Sequence, residues 1–453
     1  MHIYNSKTKA QEKIIFSKNK SLKMYVCGPT VYASPHIGNA RSVAVYDLIY
    51  RLLQLHTDVI YVRNITDVDD KINKAAQKNG ETIFSLTKRI TEDFQTGMKA
   101  IGCLSPTHEP RVTENISEII YTISKLIENG NAYAAEGHVL FDVKSYADYG
   151  SLSNRSVDEM LAGARIEVAP YKKNPGDFVM WKPASAADDE SAKFDSPWGV
   201  GRPGWHIECT AMSTKLLGET YDIHGGGADL MFPHHENEIA QGVCAHKGSE
   251  YAKIWVHNGF LTVEGEKMSK SLGNFVTLRE LLDAGVNGEV IRYALLSTHY
   301  RKPLDWSVKM LTDSKKILDG FYRLPDIKSA IAEPSSEVLE FLEDDLNISK
   351  TYAFLGEALS EFNKSGDLEV AKKLRNNLRF LGFLSQSADE YFGRGDAGDA
   401  KENNLEIDAL IAARKQAKAD KDFAKADAVR AQLDALGIIV DDARDGTTSW
   451  RRK

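Results

Sequence analysis

The sequence predicts an α/β fold, in which a Rossmann-like parallel sheet carries an insertion and is followed by a helical bundle and a small C-terminal α+β unit. Residues 22–27 form an apolar run typical of a buried strand, and residues 28–30 carry a turn signal. Apolar residues between 37 and 55 recur at helical spacing, and residues 59–62 form a second apolar run. This order predicts a β-α-β unit with parallel strands, so binding residues are expected beyond the carboxyl ends of those strands.

The chain is long enough to need several domains, because 453 residues exceed what one hydrophobic core usually serves. The predicted segments are residues 1–115, 116–200, 201–260, 261–311, 312–395 and 401–453. The first and third are the two halves of the parallel-sheet domain, and the second is an insertion between them. A loop region rich in lysine, the helical bundle and the C-terminal unit follow in that order. The acidic run at 187–193 is predicted to be a solvated loop, and residues 393–398 a linker.

Composition favours a soluble, cytoplasmic protein that does not enter a membrane. Apolar residues make up 42% of the chain and charged residues 27%, with no long apolar run and no signal-peptide pattern at the start. The formal net charge of −7 gives no global attraction for nucleic acid, but a local basic strip could still contact RNA. The four cysteines are too few and too scattered for a disulfide framework, and Cys103 and Cys244 are predicted to be structural thiols.

Four residues form a candidate zinc-binding set: Cys27, Cys209, His234 and Glu238. A helix is predicted to start after Pro233, so His234 and Glu238 would share one of its faces. Two thiolates, an imidazole and a carboxylate are typical of zinc. Spacing alone leaves alternatives open, since a cysteine after an apolar run is usually a small core residue and an i,i+4 His–Glu pair can be a solvated surface pair.

Two short segments have the residue types of a triphosphate-binding site. His36 and Asn39 stand three apart at a predicted helix start, where unpaired backbone N–H groups favour anions. Lys267 and Lys270 lie in a loop bracketed by glycines, and such a loop could close over phosphates. Each segment also has a plain alternative, an ordinary helix start in the first case and an exposed basic turn in the second.

Together these segments resemble the paired signature of class I aminoacyl-tRNA synthetases, with His-Ile-Gly-Asn at 36–39 and Lys-Met-Ser-Lys-Ser at 267–271. Further stretches are similar to the cysteinyl members of that class: residues 27–32, 64–70, 201–209 and 222–238. The resemblance runs nearly end to end, and its motifs are highly specific in combination. Asn39 departs from the class signature, which usually has a second histidine there. An amide donates a hydrogen bond but carries no charge, so phosphate binding is expected to survive while a charge-based role is in doubt.

The resemblance implies a two-step ligase reaction: ATP activates L-cysteine to cysteinyl-adenylate, and the aminoacyl group then passes to the 3′-terminal adenosine of tRNA-Cys. His36 and Asn39 would hold phosphate oxygens, with Mg²⁺ accompanying ATP, and Lys267 and Lys270 would stabilise the developing charge. By similarity, the remaining contacts are Gly226 and Val256 to adenosine, Asp229 to ribose, and Thr66 and Trp205 in the cysteine pocket.

One zinc ion per chain would serve to distinguish cysteine from serine. An apolar pocket separates such near-isosteres by only about 1–3 kcal/mol. Zinc binds a thiolate and lowers its pKa, whereas a serine hydroxyl is a harder and far less acidic donor. We therefore expect no separate editing domain.

Residues 401–453 resemble the anticodon-binding end of the same enzymes, and Trp450 and Arg451 are candidate tRNA contacts because an aromatic ring there could stack on an unpaired base. This module favours tRNA over the closest alternative, a cysteine ligase of the mycothiol type acting on a small amine. Two rivals belong to other classes. A zinc hydrolase using His234, His235 and Glu238 gives no reason for the lysine loop, and a silent RNA-binding protein would need damaged ATP motifs. The chain is expected to act as a monomer.

Overall fold

The computed structural model describes residues 1–154, 169–185, 188–269, 272–327, 333–393, 400–420, 422–442 and 448–452. The chain divides into two compact units, one of residues 1–315 with 329–382 and one of residues 316–328 with 383–453. The strands are β1 (His2–Asn5), β2 (Ala10–Lys13), β3 (Leu22–Val26), β4 (Val59–Arg63), β5 (Ala132–Ala135), β6 (His138–Phe141), β7 (Phe178–Pro183), β8 (Gly201–Pro203), β9 (Thr220–Gly227), β10 (Tyr251–Asn258), β11 (Leu261–Val263), β12 (Glu266–Lys267), β13 (Leu304–Trp306), β14 (Ile438–Asp442) and β15 (Thr448–Arg452).

The described α-helices of the first half of the chain are α1 (Ile37–Gln54), α2 (Asp70–Asn79), α3 (Ile83–Ala100), α4 (Ile116–Glu128), α5 (Trp205–Leu217) and α6 (Glu236–Ala245). Those that follow are α7 (Leu278–Asp283), α8 (Gly288–Leu295), α9 (Val308–Tyr322), α10 (Ser336–Glu343), α11 (Ile348–Ser365), α12 (Leu368–Phe380), α13 (Ala388–Tyr391), α14 (Ala400–Ala419) and α15 (Phe423–Ala435).

The central sheet of the first unit has four parallel strands in the order β10-β9-β3-β4. In register, Met24 on β3 pairs with Tyr61 on β4 and with Ile223 on β9. All three side chains are buried, as expected for a parallel sheet covered on both faces. The predicted β-α-β unit and fold class are confirmed. Because the strands are parallel, their carboxyl ends lie along one edge of the sheet, where the functional side chains are expected.

Helix α1 fills the crossover between β3 and β4 and is largely buried. Its N-cap is His36, and its buried face includes Ala44, Leu48 and Leu52 at helical spacing. On another face, the buried carboxylate of Asp47 pairs with Arg51 and with the fully buried Arg292 on α8. This ion pair fixes α8 against α1, since removing one member would leave the other charge buried and unpaired.

The insertion folds as helix α4 followed by a second, antiparallel sheet in the order β5-β6-β7-β8. The sheet buries Phe141 and Trp181, and its last strand, β8, leads directly into α5.

The prediction that residues 187–193 form a solvated loop is wrong for part of that segment. Asp188 is partly buried and pairs with Arg202, with an Oδ2–Nη1 distance of 2.6 Å, and Ala192 is 2% exposed. Asp188 pairs with Arg202 because the guanidinium of Arg202, buried on β8, requires a counter-charge.

The second unit contains a small separate core. Helices α14 and α15 and the antiparallel pair β14–β15 enclose Ile407, Leu433 and Ile438. The candidate tRNA contacts Trp450 and Arg451 lie in β15, which pairs with β14. Residues 394–399, which include most of the predicted linker, lie outside the described residues. In the described part of the chain, no helix combines the length and apolar character needed to cross a membrane.

Close backbone packing at the start of α8 gives a stability prediction. A Cβ added at Gly288 would lie 1.9 Å from the carbonyl oxygen of Ala100 at the end of α3. Gly288→Ala should therefore lower the free energy of unfolding by about 1–3 kcal/mol, because one of the two helix ends must shift. Gly356→Ala is the matched control, since Gly356 lies inside α11 with open space around it. That change should raise stability by about 0.5–1 kcal/mol.

The measurement is denaturant unfolding of both variants beside the parent chain, followed by circular dichroism. Equal effects of the two substitutions would contradict the packing account of the α3–α8 junction.

Candidate active site

Four polar side chains converge beyond the carboxyl end of β3. Cys27 follows that strand, Cys209 lies on α5, His234 lies in the turn before α6, and Glu238 lies on α6. The Sγ atoms of Cys27 and Cys209 are 3.8 Å apart. Oε1 of Glu238 lies 3.4 Å from the Cys27 sulfur and 3.1 Å from Nε2 of His234. One atom from each residue can be chosen so that all four lie within 4.8 Å of one another, which is the spacing of a metal-ligand set.

The helix that carries Glu238 starts later than predicted. The regular helix begins at Glu236, two residues later than expected, and a wider turn over Met231–His235 precedes it. His234 and Glu238 still face each other across that turn. Cys209 lies within a helix that begins at Trp205, directly after β8. These local differences leave the four residues together, since the tertiary packing of α5 and α6 sets their positions.

Burial sets the protonation of the cluster. Cys209, His234 and Glu238 are at most 1% exposed, whereas Cys27 is half-buried. Burial raises the pKa of Cys27 well above its usual value and that of Glu238 to about 8. A hydrogen bond with Cys27 lowers the pKa of Cys209, but burial and the nearby Glu238 carboxylate outweigh it and raise that pKa overall. Burial lowers the pKa of His234. Each group is thus held in its neutral form.

Several neighbours of the cluster escape sequence reasoning. Tyr251 donates to Oε2 of Glu238 at 3.0 Å, which turns Oε1 towards Cys27 and His234. His206 shares a hydrogen bond of 2.9 Å with Nδ1 of His234. His206 lies three residues before Cys209 on the same helix, and this spacing is a signal that could identify it. Tyr251 begins β10, and nothing in the sequence links it to Glu238.

A second set of residues also has ligand spacing. His224 and His235 can join Cys27 and Glu238 within the same 4.8 Å limit. Nε2 of His224 lies 3.4 Å from the Cys27 sulfur, and its Nδ1 shares a 2.6 Å hydrogen bond with the Tyr221 hydroxyl. His224 directly precedes the glycine run that ends β9, so its place at a strand end is the signal available in the sequence.

The predicted cysteine-pocket residues border the cluster from two sides. Trp205 is 40% exposed and stacks on His234, with ring centroids 4.1 Å apart. Thr66 follows β4 and is 1% exposed, and its hydroxyl donates to Oε2 of Glu208 at 3.0 Å. Two residues earlier, Oδ1 of Asn64 lies 3.8 Å from the Cys209 sulfur. Trp205 thus presents an exposed aromatic face beside the cluster, and Thr66 a buried wall.

The start of α1 is organised by the predicted phosphate residues themselves. Nδ1 of His36 accepts from the backbone N–H of Asn39 at 3.2 Å, and Oδ1 of Asn39 accepts from the N–H of His36 at 3.1 Å. This reciprocal capping box fixes both side chains. Because Oδ1 of Asn39 faces the backbone, its NH₂ group faces away from the helix as a donor of fixed direction.

The lysine segment approaches the same helix start. Lys267 ends the exposed strand β12, which pairs with β11 in a hairpin. The methyl group of Met268 lies 3.8 Å from the position of a Cβ added at Gly38 on α1. Lys270 lies outside the described residues, so its placement stays a prediction.

The predicted nucleotide residues lie at the ends of β9 and β10, on the edge of the sheet that carries the cluster. The hydroxyl of Tyr46 on α1 accepts from the N–H of Gly226 at 2.6 Å and donates to the carbonyl of Val256 at 2.7 Å. Asp229 is exposed and lies just beyond, with a carboxylate oxygen 2.3 Å from where a Cβ at Gly227 would be. Gly226, Val256 and Asp229 thus lie at or just beyond the carboxyl ends of these two neighbouring strands.

The candidate tRNA residues lie in the second unit. Trp450 and Arg451 belong to β15 and pair in register with Val440 and Ile439 on β14. Their side chains are not among those that the structure describes, so their role stays a prediction.

The sequence of the chain is similar to that of the class I aminoacyl-tRNA synthetases. The family model described as "tRNA synthetases class I (C) catalytic domain" matches residues 13–316. A second model, described as "Cysteinyl-tRNA ligase anticodon binding domain", matches residues 401–451.

Curated relatives agree with this assignment. The cysteine–tRNA ligase of Wolbachia pipientis subsp. Culex pipiens (strain wPip) is 50% identical over 100% of this chain and 98% of its own length. The cysteine–tRNA ligase of Acidiphilium cryptum (strain JF-5) is 51% identical over 99% of both. The chain therefore belongs to the cysteine–tRNA ligase family. The predicted family and enzyme class are confirmed, and the mycothiol-type alternative is not favoured.

Solved structures of low identity share the fold. Methionyl-tRNA synthetase of Mycobacterium tuberculosis, in complex with methionyl-adenylate, is 16% identical with a TM-score of 0.55, over 85% of this chain and 96% of that one. LeuRS from Agrobacterium radiobacter K84, in a ternary complex with tRNA and LeuAMS, is 12% identical with a TM-score of 0.58, over 84% and 86% of the two chains. Both likenesses concern the fold alone.

The protonation of the cluster predicts a proton count for metal binding. At pH 7 the two thiols carry protons, and so does most of the Glu238 population because its pKa is about 8. Binding of Zn²⁺ to the metal-free protein should therefore release about three protons, since ligands bind in their deprotonated forms. Release can be measured with an indicator dye in weak buffer. Glu238→Gln, saturated with the ion, should release about two.

The sign of the pH dependence follows from the same raised pKa values. Affinity for Zn²⁺ should fall steadily as the pH drops from 8 to 6, because more protons must then be displaced. Release of one proton or fewer, in either variant, would contradict the assignment of both thiols as ligands.

Proposed function

We propose that the chain activates L-cysteine with ATP to form cysteinyl-adenylate and pyrophosphate, and transfers the cysteinyl group to the 3′-terminal adenosine of tRNA-Cys. The observation that carries this proposal is the buried cluster of Cys27, Cys209, His234 and Glu238, which lies on the same sheet edge as the start of α1. Family membership supplies the class of reaction. The cluster supplies the reason why the amino acid is cysteine.

The nucleotide would lie across the ends of β9 and β10, with its phosphates towards the start of α1. The N–H groups of Ile37 and Asn39 are already hydrogen-bonded within the protein, so the side chains of His36 and Asn39, the latter through its NH₂ group, would supply the donors to the phosphates. Gly226 and Val256 would meet the adenosine, and Asp229 the ribose. Tyr46 supports this arrangement because it fixes the two strand ends relative to each other. Magnesium would accompany ATP.

The lysine hairpin would act when the cysteine carboxylate attacks the α-phosphorus. Negative charge then spreads over the phosphate oxygens, and Lys267 and Lys270 would stabilise it. Preorganised donors aimed at developing charge typically contribute about 2.7–4 kcal/mol each. The contact of Met268 with the region above Gly38 supports this role, since it brings the hairpin over the helix start that would hold the phosphates.

The donor set at the cluster fits zinc. With Zn–S distances of about 2.3 Å and Zn–N or Zn–O distances of about 2.0–2.1 Å, neighbouring ligand atoms of a tetrahedral site lie about 3.3–3.8 Å apart. The sulfur–sulfur distance of 3.8 Å and the sulfur–oxygen distance of 3.4 Å fall in that range, and the His234–Glu238 distance of 3.1 Å is slightly shorter. His206 and Tyr251 would orient the ligands through their second polar atoms, as partners of metal ligands commonly do.

Two ligand sets have suitable spacing, and we favour the one with two sulfurs. Cys27 and Glu238 belong to both sets, so the choice lies between Cys209 with His234 and His224 with His235. Two thiolates suit zinc better than one, because thiolates are soft ligands. His224 would then remain beside the cluster as a neighbour of the incoming substrate.

A zinc ion held by these four residues would take a substrate thiolate as a further ligand and lower its pKa, and an alcohol could not match this. The half-exposed side of the cluster at Cys27 and the exposed face of Trp205 give a cysteine side chain access. Thr66, buried beside Asn64, would close the pocket. Residues 401–453 would bind the anticodon region of the tRNA, with Trp450 and Arg451 as contacts, and we expect a cytoplasmic monomer.

The zinc assignment predicts a selective defect in one variant. Cys209→Ser should lower the zinc content of the purified protein. It should also lower the rate of cysteine-dependent ATP–pyrophosphate exchange at least about 100-fold, because removal of a ligand weakens the site that receives the thiol. The fold should be largely retained, since serine is close to cysteine in size.

Cys244→Ser is the matched control, since Cys244 is also buried but lies outside the cluster. It should keep its zinc and its exchange rate. Normal exchange and normal zinc in Cys209→Ser would remove this residue from the metal site.

The C-terminal assignment predicts that the two reaction steps can be separated. A chain lacking residues 401–453 should form cysteinyl-adenylate at close to the normal rate, yet charge tRNA-Cys at least about tenfold more slowly, because contacts with the tRNA are lost. Exchange and aminoacylation are measured on the same preparations. An equal fall in both activities would contradict a separate tRNA-binding module.

A further inference from the structure

Arg41 is a buried cation held almost entirely by backbone. It lies on α1, two residues after Asn39, and is 1% exposed. Its Nη1 donates to the carbonyls of Gly259 at 2.9 Å and Phe260 at 2.6 Å, and its Nη2 donates to that of Lys302 at 2.6 Å. Within the described parts of the chain, Arg41 forms no ion pair. Burial lowers its pKa to about 10, so the guanidinium stays charged at neutral pH.

Burial of the charged Arg41 side chain costs free energy, because desolvation of a guanidinium is unfavourable unless its N–H donors are hydrogen-bonded. The planar fork of arginine can satisfy several carbonyls at once, and lysine cannot reproduce that geometry. Here the acceptors come from two chain segments that are far apart in sequence, at 259–260 and 302. Arg41 therefore fixes both segments to the same point on α1.

Both segments adjoin β11, the first strand of the lysine hairpin: one leads into β11, and the other leads into its neighbour β13. Residues 259–260 connect β10 to β11, and residue 302 lies just before β13, which pairs with β11 in parallel. Backbone bonds join the segments, from Gly259 N–H to the Tyr300 carbonyl at 2.7 Å and from Leu304 N–H to the Phe260 carbonyl at 2.9 Å. A Cβ at Gly259 would lie 2.5 Å from the Lys302 oxygen, so the segments are in close contact.

The other end of the lysine loop is also attached to α1. The N–H of Ile37 donates to the Val276 carbonyl at 3.1 Å, and the N–H of Leu278 donates to the Pro35 carbonyl at 2.9 Å. Both ends of the loop between residues 261 and 275 are therefore held by the first turns of one helix. That helix also carries His36 and Asn39.

We propose that Arg41 is a positioning residue for the adenylation step, which sets where the lysine hairpin stands relative to the phosphate site on α1. The inference rests on the proposed function for its chemical meaning, but the anchoring itself is a property of the fold. Arg41 touches neither substrate. It acts by fixing the position of the chain just before β11, and so the position of the hairpin that carries Lys267.

The test compares Arg41→Lys with Arg292→Lys. Arg292 is also fully buried and also packs against α1, through Asp47, but it donates to the carbonyls of Leu381 and Ile101, which lie outside the lysine hairpin. Both changes should lower the thermal midpoint. Only Arg41→Lys should lower kcat for cysteine-dependent exchange, by about 10- to 100-fold per active site, since a displacement of about 1 Å can cost 100-fold. The KM for cysteine should stay unchanged in both variants.

A second readout does not depend on activity. The loop carries the exposed Lys267, and trypsin cleavage after that residue reports how firmly the hairpin is held. Cleavage at native temperature, followed by mass spectrometry, should be several-fold faster in Arg41→Lys than in Arg292→Lys. Gly259→Ala keeps Arg41 but places a methyl group against the Lys302 carbonyl, so it should also speed cleavage. It is the variant to measure if Arg41→Lys does not fold.

The inference is overturned if Arg41→Lys and Arg292→Lys have the same kcat and the same cleavage rate. Absence of cysteine-dependent exchange in the parent chain is a different result, because it removes the proposed function itself. In that case the cleavage rates alone decide whether Arg41 anchors the hairpin.

Discussion

The structure depends on the close approach of four ionisable side chains at one edge of a parallel sheet. Cys27, Cys209, His234 and Glu238 offer ligand atoms within 4.8 Å of one another, and three of them are almost fully buried. Burial disfavours the charged form of every one of these groups, so bringing them together costs free energy. A bound cation offsets this cost by stabilising the thiolates and the carboxylate. Zinc binding and the packing of α5 and α6 are thus expected to be coupled.

Helix α1 relates the parts of the site to one another. Its first turn carries the His36–Asn39 capping box, its middle carries Tyr46 against the ends of β9 and β10, and Arg41 anchors the lysine hairpin. On another face, Asp47 pairs with Arg292 and ties α8 to α1. One rigid element therefore positions the groups that would contact phosphates, adenosine and developing charge, which is what preorganised catalysis requires.

Much of this arrangement follows from local sequence pattern. The apolar runs at β3 and β4 and the helical spacing along α1 predict the parallel sheet and its functional edge. The four candidate ligands are recognisable by residue type, and His234 and Glu238 also by their i,i+4 spacing near a predicted helix start. The antiparallel sheet of the insertion and the ion pair of Asp188 with Arg202 are not predictable in this way. Only the tertiary structure brings Arg202 near Asp188. Arg41 escapes for a related reason, since its partners are backbone carbonyls that carry no sequence signature.

The most direct test of this account is ATP–pyrophosphate exchange by the zinc-loaded protein, with cysteine or serine as the amino acid. The account predicts exchange with cysteine, none above background with serine, loss of exchange when zinc is removed by chelation, and recovery when zinc is returned. Equal exchange with serine, or exchange that survives complete removal of zinc, would show that the buried cluster does not select the substrate. Absence of exchange with cysteine in the zinc-loaded protein would contradict the proposed activity as a whole.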